Sequence, residues 1–285
     1  MKIHLVNYTP EPLKSIAIPF LNMGIGRDIR TTDDLTMDEA RDAIKEIFKS
    51  HLDAPTEFAS FNLFWEDIPL FLRAQLVRHR IGWGFAERSL RFYDANLKDS
   101  VKEYDWDAMP TVMKDKEGNE KLSKGEAPFY GTPIKDVVEM EMKRQMDLYS
   151  KLLKEGVDQQ EARNIIGVWF PTSMQTTCTY RALRAMLADR LSSQAHPLWQ
   201  KAAHQIKDLI TEISPELGAG LVDSCELAGR CVWNSRFDRD CDACIERGRK
   251  KKHEHVWNRE TSYGKNTQCD CGIMKPFDLI EEPKL

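Results

Sequence analysis

The 285-residue chain is long enough for one large domain or two ordinary ones with a substantial core, and its 41% hydrophobic and 30% charged composition sets aside a disordered or fibrous protein. A formal net charge of −4 leaves no global nucleic-acid footprint, so anionic ligands must be met by local arginine clusters. No apolar run approaches the roughly 20 residues that span a bilayer, and the N-terminus has no basic region leading into an apolar core, so a cytoplasmic protein with no membrane partner is expected.

Residues 2–8 are β-rich and partly alternating, which predicts a strand ended by Pro10 and Pro12, followed by a loop with Gly24 and Gly26. Thr36 with Glu39 forms a capping-box pattern ahead of Ala40, Ile44, Ile47 and Phe48 at helical spacing. Residues 57–65 alternate as a strand with a buried aromatic face, and Pro69 suits the first turn of a helix running through Phe71, Leu72, Leu76 and Val77. Residues 95–130 are polar and read as an exposed insertion. A long helix is predicted from Ile134 to Gly156, and further helices over 159–169, 178–195 and 198–217. A few strands and several long helices without regular βαβ alternation argue an α+β fold, with helices packed on a small, mostly antiparallel sheet.

The densest chemistry lies in Arg78-His79-Arg80 and in Glu87-Arg88-Ser89-Leu90-Arg91-Phe92. Guanidinium forks beside hydroxyl donors suit a phosphate, although an isolated basic triplet is commonly a solvated helix end. Against that reading, Arg78 follows Phe71 by seven residues, about two helical turns, and so continues the apolar face of the predicted helix. A second constellation is the segment from Tyr180 to Ala195, where Leu183, Met186, Leu187 and Leu191 form a packing stripe carrying Arg181, Arg184 and Arg190. Taken alone it is an ordinary amphipathic helix. Cys178 reads as a small buried helix residue rather than a catalytic thiol.

In order along the chain, His51-Leu52-Asp53-Ala54-Pro55-Thr56-Glu57, the Arg-His-Arg triplet with its spaced Glu-x-Ser-x-Arg, Glu161-Ala162-Arg163 and the Arg181–Arg190 helix resemble the flavin-dependent thymidylate synthases. The resemblance covers roughly residues 1–220 as a catalytic domain, leaving 221–285 as a Cys/His-rich extension. It implies transfer of a one-carbon unit from methylenetetrahydrofolate to C5 of a deoxypyrimidine monophosphate, dUMP to dTMP, with FAD as cofactor and NADPH as reductant. Thr56, Arg78, His79, Arg80 and Arg181 would hold the flavin. Gln75, Glu87, Ser89, Leu90, Arg91, Arg163 and Arg190 would surround the nucleotide, with Arg190 and Ser89 catalytic. The family also implies a homotetramer.

Departures from the family pattern cluster on one side. The bridge from the triplet to Ser89 holds eight residues, one more than is usual, and Trp83, Gly84, Phe85 and Ala86 replace small polar residues. The extra residue is expected in a glycine-flanked bulge. Phe58, Gln160, Thr179, Ala185 and Gln194 stand where the family has, respectively, a histidine, a glutamate, two asparagines and a histidine. Such a pattern keeps the phosphate side and alters the ring side, which leaves open a dCMP methylase, a hydroxymethylase on the same scaffold, or a non-enzymatic zinc or nucleic-acid-binding relative.

The extension holds six of the seven cysteines. Cys241 and Cys244 form a Cys-x-x-Cys knuckle, followed by His253, His255, Cys269 and Cys271, a donor set compatible with structural zinc, although the spacing matches no standard finger. The basic run from Arg247 to Lys252 is most simply solvated, and nucleic acid is not an expected partner.

Overall fold

A computed structural model describes residues 1–50, 52–89, 112–114, 120–122, 128–129, 132–192 and 195–228. They fall into two compact units that interleave along the chain. The sheet unit comprises residues 1–8, 61–178 and 197–205; the helical unit comprises 9–60, 179–196 and the described residues from 206 onward. The architecture is the α+β one expected, mostly helical with a small sheet.

The main sheet has the order β1-β2-β8-β3. Strand β1 (Lys2–Tyr8) runs antiparallel to β2 (Ser60–Pro69), with Lys2 opposite Glu66 and Tyr8 opposite Phe61, and β3 (Trp83–Glu87) runs antiparallel to β8 (Pro171–Thr179). Alternation sorts the two faces: Phe61, Leu63 and Trp65 are buried, as are Met174, Thr176 and Cys178, while Gln175 and Thr177 are exposed. The Trp65 indole donates to Thr176 Oγ1 at 3.0 Å and meets the Trp199 ring edge-on at 6.0 Å, so the largest side chain of this core is both packed and polar-satisfied. Two short ladders, β4 (Val112–Lys114) with β5 (Glu120–Leu122) and β6 (Pro128–Phe129) with β7 (Thr132–Pro133), fall in the polar insertion and at its end.

Between β2 and β3 lies α3 (Leu70–Leu76). The long helix α4 (Ile134–Lys154) turns Met142, Met146 and Tyr149 toward Ala162 and Phe170, and Gly156, at φ 81°, takes the left-handed conformation that stops it. In the helical unit, α1 (Pro12–Phe20) packs on α2 (Met37–Ser50). The capping box is present: Glu39 N–H donates to Thr36 Oγ1 at 3.3 Å and Thr36 N–H to the Glu39 carboxylate at 2.9 Å. That backbone donor, followed by the Thr36 hydroxyl, holds the Glu39 carboxyl below its ordinary pKa. Helix α6 (Tyr180–Arg190) buries Tyr180, whose hydroxyl donates to Leu217 O at 2.6 Å; a Cβ at Gly220 would stand 2.5 Å from that hydroxyl.

Several boundaries differ from the sequence reading. Residues 12–25, expected as a loop, form α1 and a π-helical turn, Leu21–Ile25. The strand expected from Glu57 begins at Ser60, because Pro55 opens a 3-10 turn over Ala54–Phe58. No helix runs from 159 to 169: α5 (Gln159–Ala162) gives way to a 3-10 turn, Arg163–Ile165, and then to a bend. Gln145 Oε1 fixes that bend by accepting from Gly167 N–H at 3.1 Å and the Trp169 indole at 3.2 Å.

Cys178 lies on β8 rather than in a helix, and α6 begins only after Thr179, whose hydroxyl accepts from Ala182 N–H at 3.2 Å as its N-cap. The thiol is 1% exposed, and burial pushes its pKa far above the usual range. We expect iodoacetamide to leave Cys178 unmodified in native protein and to label it after denaturation, as peptide mass spectrometry would show; native labelling would contradict this burial.

The helix expected over 198–217 appears as α7 (Pro197–Ile213) and α8 (Pro215–Ala219), and α9 (Ser224–Ala228) follows. Among the described residues no helix is long and apolar enough to cross a membrane.

Candidate nucleotide and flavin site

In the sheet unit, α3 carries Gln75 and ends at Leu76, so the triplet lies beyond the helix and not on its apolar face. Arg78 N–H donates to Gln75 O at 3.3 Å and His79 N–H to Leu76 O at 3.0 Å, which folds the chain out of the helix. A second turn is closed by Trp83 N–H donating to Arg80 O at 3.4 Å, with Gly82 at φ 73° in the position that demands a left-handed residue. Arg78 and Arg80 are exposed at this apex and His79 is half-buried, its ring 6.5 Å from that of Trp83. An arginine continuing the helix would have needed a buried partner; leaving the helix removes that cost.

From Trp83 opposite Cys178 to Glu87 opposite Met174 the β3–β8 ladder runs without a register shift, so no bulge interrupts the strand between these residues. Trp83 and Phe85, on one face, stack at 6.0 Å with 5° between ring planes. On the other face a Cβ at Gly84 would stand 2.8 Å from Thr177 Cγ2, so the flanking threonine leaves no room for a side chain there.

Two side chains of this arm are already oriented. Trp199 Nε1 donates to Gln75 Oε1 at 2.8 Å; since an indole can only donate, the amide oxygen is fixed toward Trp199 and the amide NH₂ is presented elsewhere. Arg73 Nε donates to the Glu87 carboxylate at 2.7 Å, with a second bond from Nη2 to the same oxygen. Arg88 and Ser89 are exposed, and Arg88 N–H donates to Ser173 O at 2.9 Å. Arg163 is half-buried in its 3-10 turn. Leu90 and Arg91 lie outside the described residues.

The helical unit supplies the remaining candidates. Thr56 is fully buried and its hydroxyl donates to Asp53 O at 2.6 Å, which leaves it only lone pairs to offer. Arg181 is exposed and paired with Glu57 at 2.5 Å, a surface contact that contributes at most about 1 kcal/mol and can be exchanged. Arg184, its neighbour one turn on, is a structural group: Nη1 donates to Asp53 at 2.6 Å, Nε to Gly220 O at 3.2 Å, and the guanidinium lies 4.8 Å from the Phe48 ring centre. Arg190 ends α6 half-buried, and burial lowers its pKa while Asp189 opposes the shift. An arginine remains cationic under such a shift. The replaced position Phe58 is 62% exposed.

A family model described as thymidylate synthase complementing protein matches residues 4–216. The chain belongs to this family. The resemblance read from these ordered motifs is thereby established. Flavin-dependent thymidylate synthases are similar along most of their length: that of Nitratidesulfovibrio vulgaris is 24% identical over 242 residues, covering 83% of this chain and 93% of the relative. The enzyme of Thermosipho africanus is 27% identical over 199 residues, covering 70% and 82%. Among solved structures, a UMP/dUMP methylase PolB from Streptomyces cacaoi, bound with 5-Br dUMP, superposes with a TM-score of 0.57 at 19% identity, over 77% of this chain and 93% of the other, a likeness of fold.

Sequence reading did not find Arg73, Trp199 or Asp53, which hold Glu87, Gln75 and Arg184. Each joins partners far apart in sequence, and no spacing signals such a pair. The cysteines at 241, 244, 269 and 271 lie outside the described residues; among those described, no group of His, Cys, Asp and Glu could hold a metal, and Cys178 and Cys225 are buried.

Proposed function

We propose that the protein is a flavin-dependent methyltransferase that moves a one-carbon unit from methylenetetrahydrofolate to C5 of a deoxypyrimidine monophosphate, converting dUMP to dTMP. The observation that carries this reading is the Arg-His-Arg apex, two exposed guanidinium groups on a hydrogen-bonded turn, in a chain matched by the family over residues 4–216. Donor-only, permanently cationic side chains fit the pyrophosphate of FAD, which supports assigning Arg78, His79 and Arg80 to it. Thr56 and Arg181 are assigned to the same cofactor, Arg181 through its exchangeable surface pair and Thr56 as an acceptor only.

For the nucleotide, Arg163, Ser89, Arg91 and the NH₂ of Gln75 are phosphate donors by type, and Glu87 and Leu90 complete its surroundings. Arg190, cationic and half-buried, stabilises negative charge that develops on the pyrimidine ring. Arg78, His79 and Arg80 would hold FAD, which, reduced by NADPH, would supply the hydride that completes the methyl group; the folate methylene carbon would exchange its bonds to the two folate nitrogens for the bond to C5, the C5 hydrogen would leave as a proton, and the freed nitrogens would take up protons to release tetrahydrofolate. A homotetramer in the cytoplasm fits the same family reading.

The stacked Trp83 and Phe85 favour a second reading on the same scaffold, dCMP as substrate or a hydroxymethyl product, because they put large apolar rings where small polar groups are usual. For the flavin itself, purified full-length protein should be yellow and should release FAD on denaturation. A colourless preparation that takes up no FAD when the cofactor is added would contradict the proposal.

A further inference from the structure

We infer that Arg73 is a positioning residue that sets the Arg-His-Arg apex through Glu87, so that Glu87 acts by clasping Arg73 as well as by facing the nucleotide; this rests on the flavin and nucleotide assignment above. The arm has three parts: α3, the double turn from Val77 to Gly82, and β3. Arg73 stands on the helix and Glu87 at the far end of the strand, 14 residues on, and Arg73 places both Nε and Nη2 on one carboxylate oxygen. The two side chains are 35% and 25% exposed, more sheltered than the 50% and 51% of the Arg181–Glu57 pair. Partial burial keeps such a charge-assisted pair from being screened away.

The geometry makes the clasp consequential. Within the arm, the backbone bonds that fold the turn span only a few residues each: Arg73 O to Val77 N–H, Gln75 O to Arg78 N–H, Leu76 O to His79 N–H, and Arg80 O to Trp83 N–H. Such local bonds curl the chain but do not fix the angle between α3 and β3. Leu70 and Phe71 N–H groups, donating to Phe170 O and Val168 O, anchor the start of the helix, and the β8 ladder anchors the strand. Arg73–Glu87 is a side-chain bond that ties helix to strand directly, one turn before Val77 and just before the Arg88-Ser89 pair. Opening it releases the apex arginines by a hinge while both anchored ends stay folded. It would also leave the Glu87 carboxylate without its cation next to a site that must attract phosphate.

The clasp is tested on the full chain carrying Arg73→Gln and Arg73→Lys, with four readouts: melting temperature, FAD affinity by flavin fluorescence, dUMP affinity by titration calorimetry, and amide hydrogen exchange of the 77–82 peptides. We expect Arg73→Gln to melt within a few degrees of wild type, to bind FAD and dUMP at least about tenfold more weakly, and to exchange faster over 77–82 than over β2 or α4. Arg73→Lys should recover part of both affinities, since one oxygen of Glu87 receives the pair. Wild-type FAD and dUMP affinities together with unchanged 77–82 exchange in Arg73→Gln would overturn the clasp alone. Weaker binding accompanied by a uniform rise in exchange across the sheet unit would overturn it as well, showing a general stability role. Wild-type protein that binds neither FAD nor dUMP would overturn the underlying assignment and the clasp with it.

Discussion

Arg190→Ala is expected to lower kcat by roughly 10²–10³-fold while FAD stays bound, the loss seen when one preorganised donor to a developing anion is removed. The physical case starts from its place at the last position of α6, where the helix carbonyls favour a cation. Half-buried, its guanidinium has already lost part of its water, which lowers its pKa but leaves it charged. A desolvated fixed cation interacts more strongly with charge appearing on a ring than one in bulk water does. Arg190→Lys should recover little, because an ammonium keeps the charge and loses the planar fork. Steady-state kinetics with flavin absorbance read on the same samples would decide; unchanged kcat in Arg190→Ala would remove the residue from the chemistry.

Arg184→Ala is expected to cost stability rather than chemistry, about 2–4 kcal/mol by chemical denaturation, at the lower side of the range for breaking a buried pair because Asp53 is 41% exposed. The substitution removes the partner of Asp53, leaves Gly220 O without its donor, and strips the cation from the face of Phe48. It also leaves a void next to Tyr180, whose hydroxyl bond to Leu217 belongs to the same buried region. A variant of wild-type stability would show that this network contributes nothing net. Arg181 and Arg184, three apart on one helix, thus make opposite predictions: the first is exposed on an exchangeable pair, the second locked in the core.

Much of this was readable from the chain. The Thr36–Glu39 box, the stop at Gly156 and the alternation of Phe61, Leu63 and Trp65 are local signals, and each appears in the structure where local chemistry places it. Strand β8 was not readable because its buried residues include Thr172, Ser173 and Thr176, polar side chains that an apolar-periodicity reading passes over. Its threonines and the opening Pro171 were the available cue. Helix propensity carried the reading too far back, through Cys178, and too far forward over 159–169, where the bend is fixed by Gln145 from another element.

At the site, the residue types were legible and their setting was not. The triplet was visible as a motif, but its placement on a turn beyond α3, rather than along a helical face, depends on Gly82 and on the β3–β8 ladder. Along the same ladder, Trp83 and Phe85 form a stacked aromatic pair on a regular strand. Gln75, Glu87 and Arg184 acquire their roles from Trp199, Arg73 and Asp53, partners to which the sequence assigns no role.

The most direct test is the mass of the nucleotide product when purified full-length protein, supplied with FAD, NADPH and methylenetetrahydrofolate, is given dUMP or dCMP in separate reactions. The account predicts a methylated nucleotide from dUMP and unchanged dCMP. A product from dCMP alone, a hydroxymethylated product, or no product from dUMP with FAD bound would contradict it.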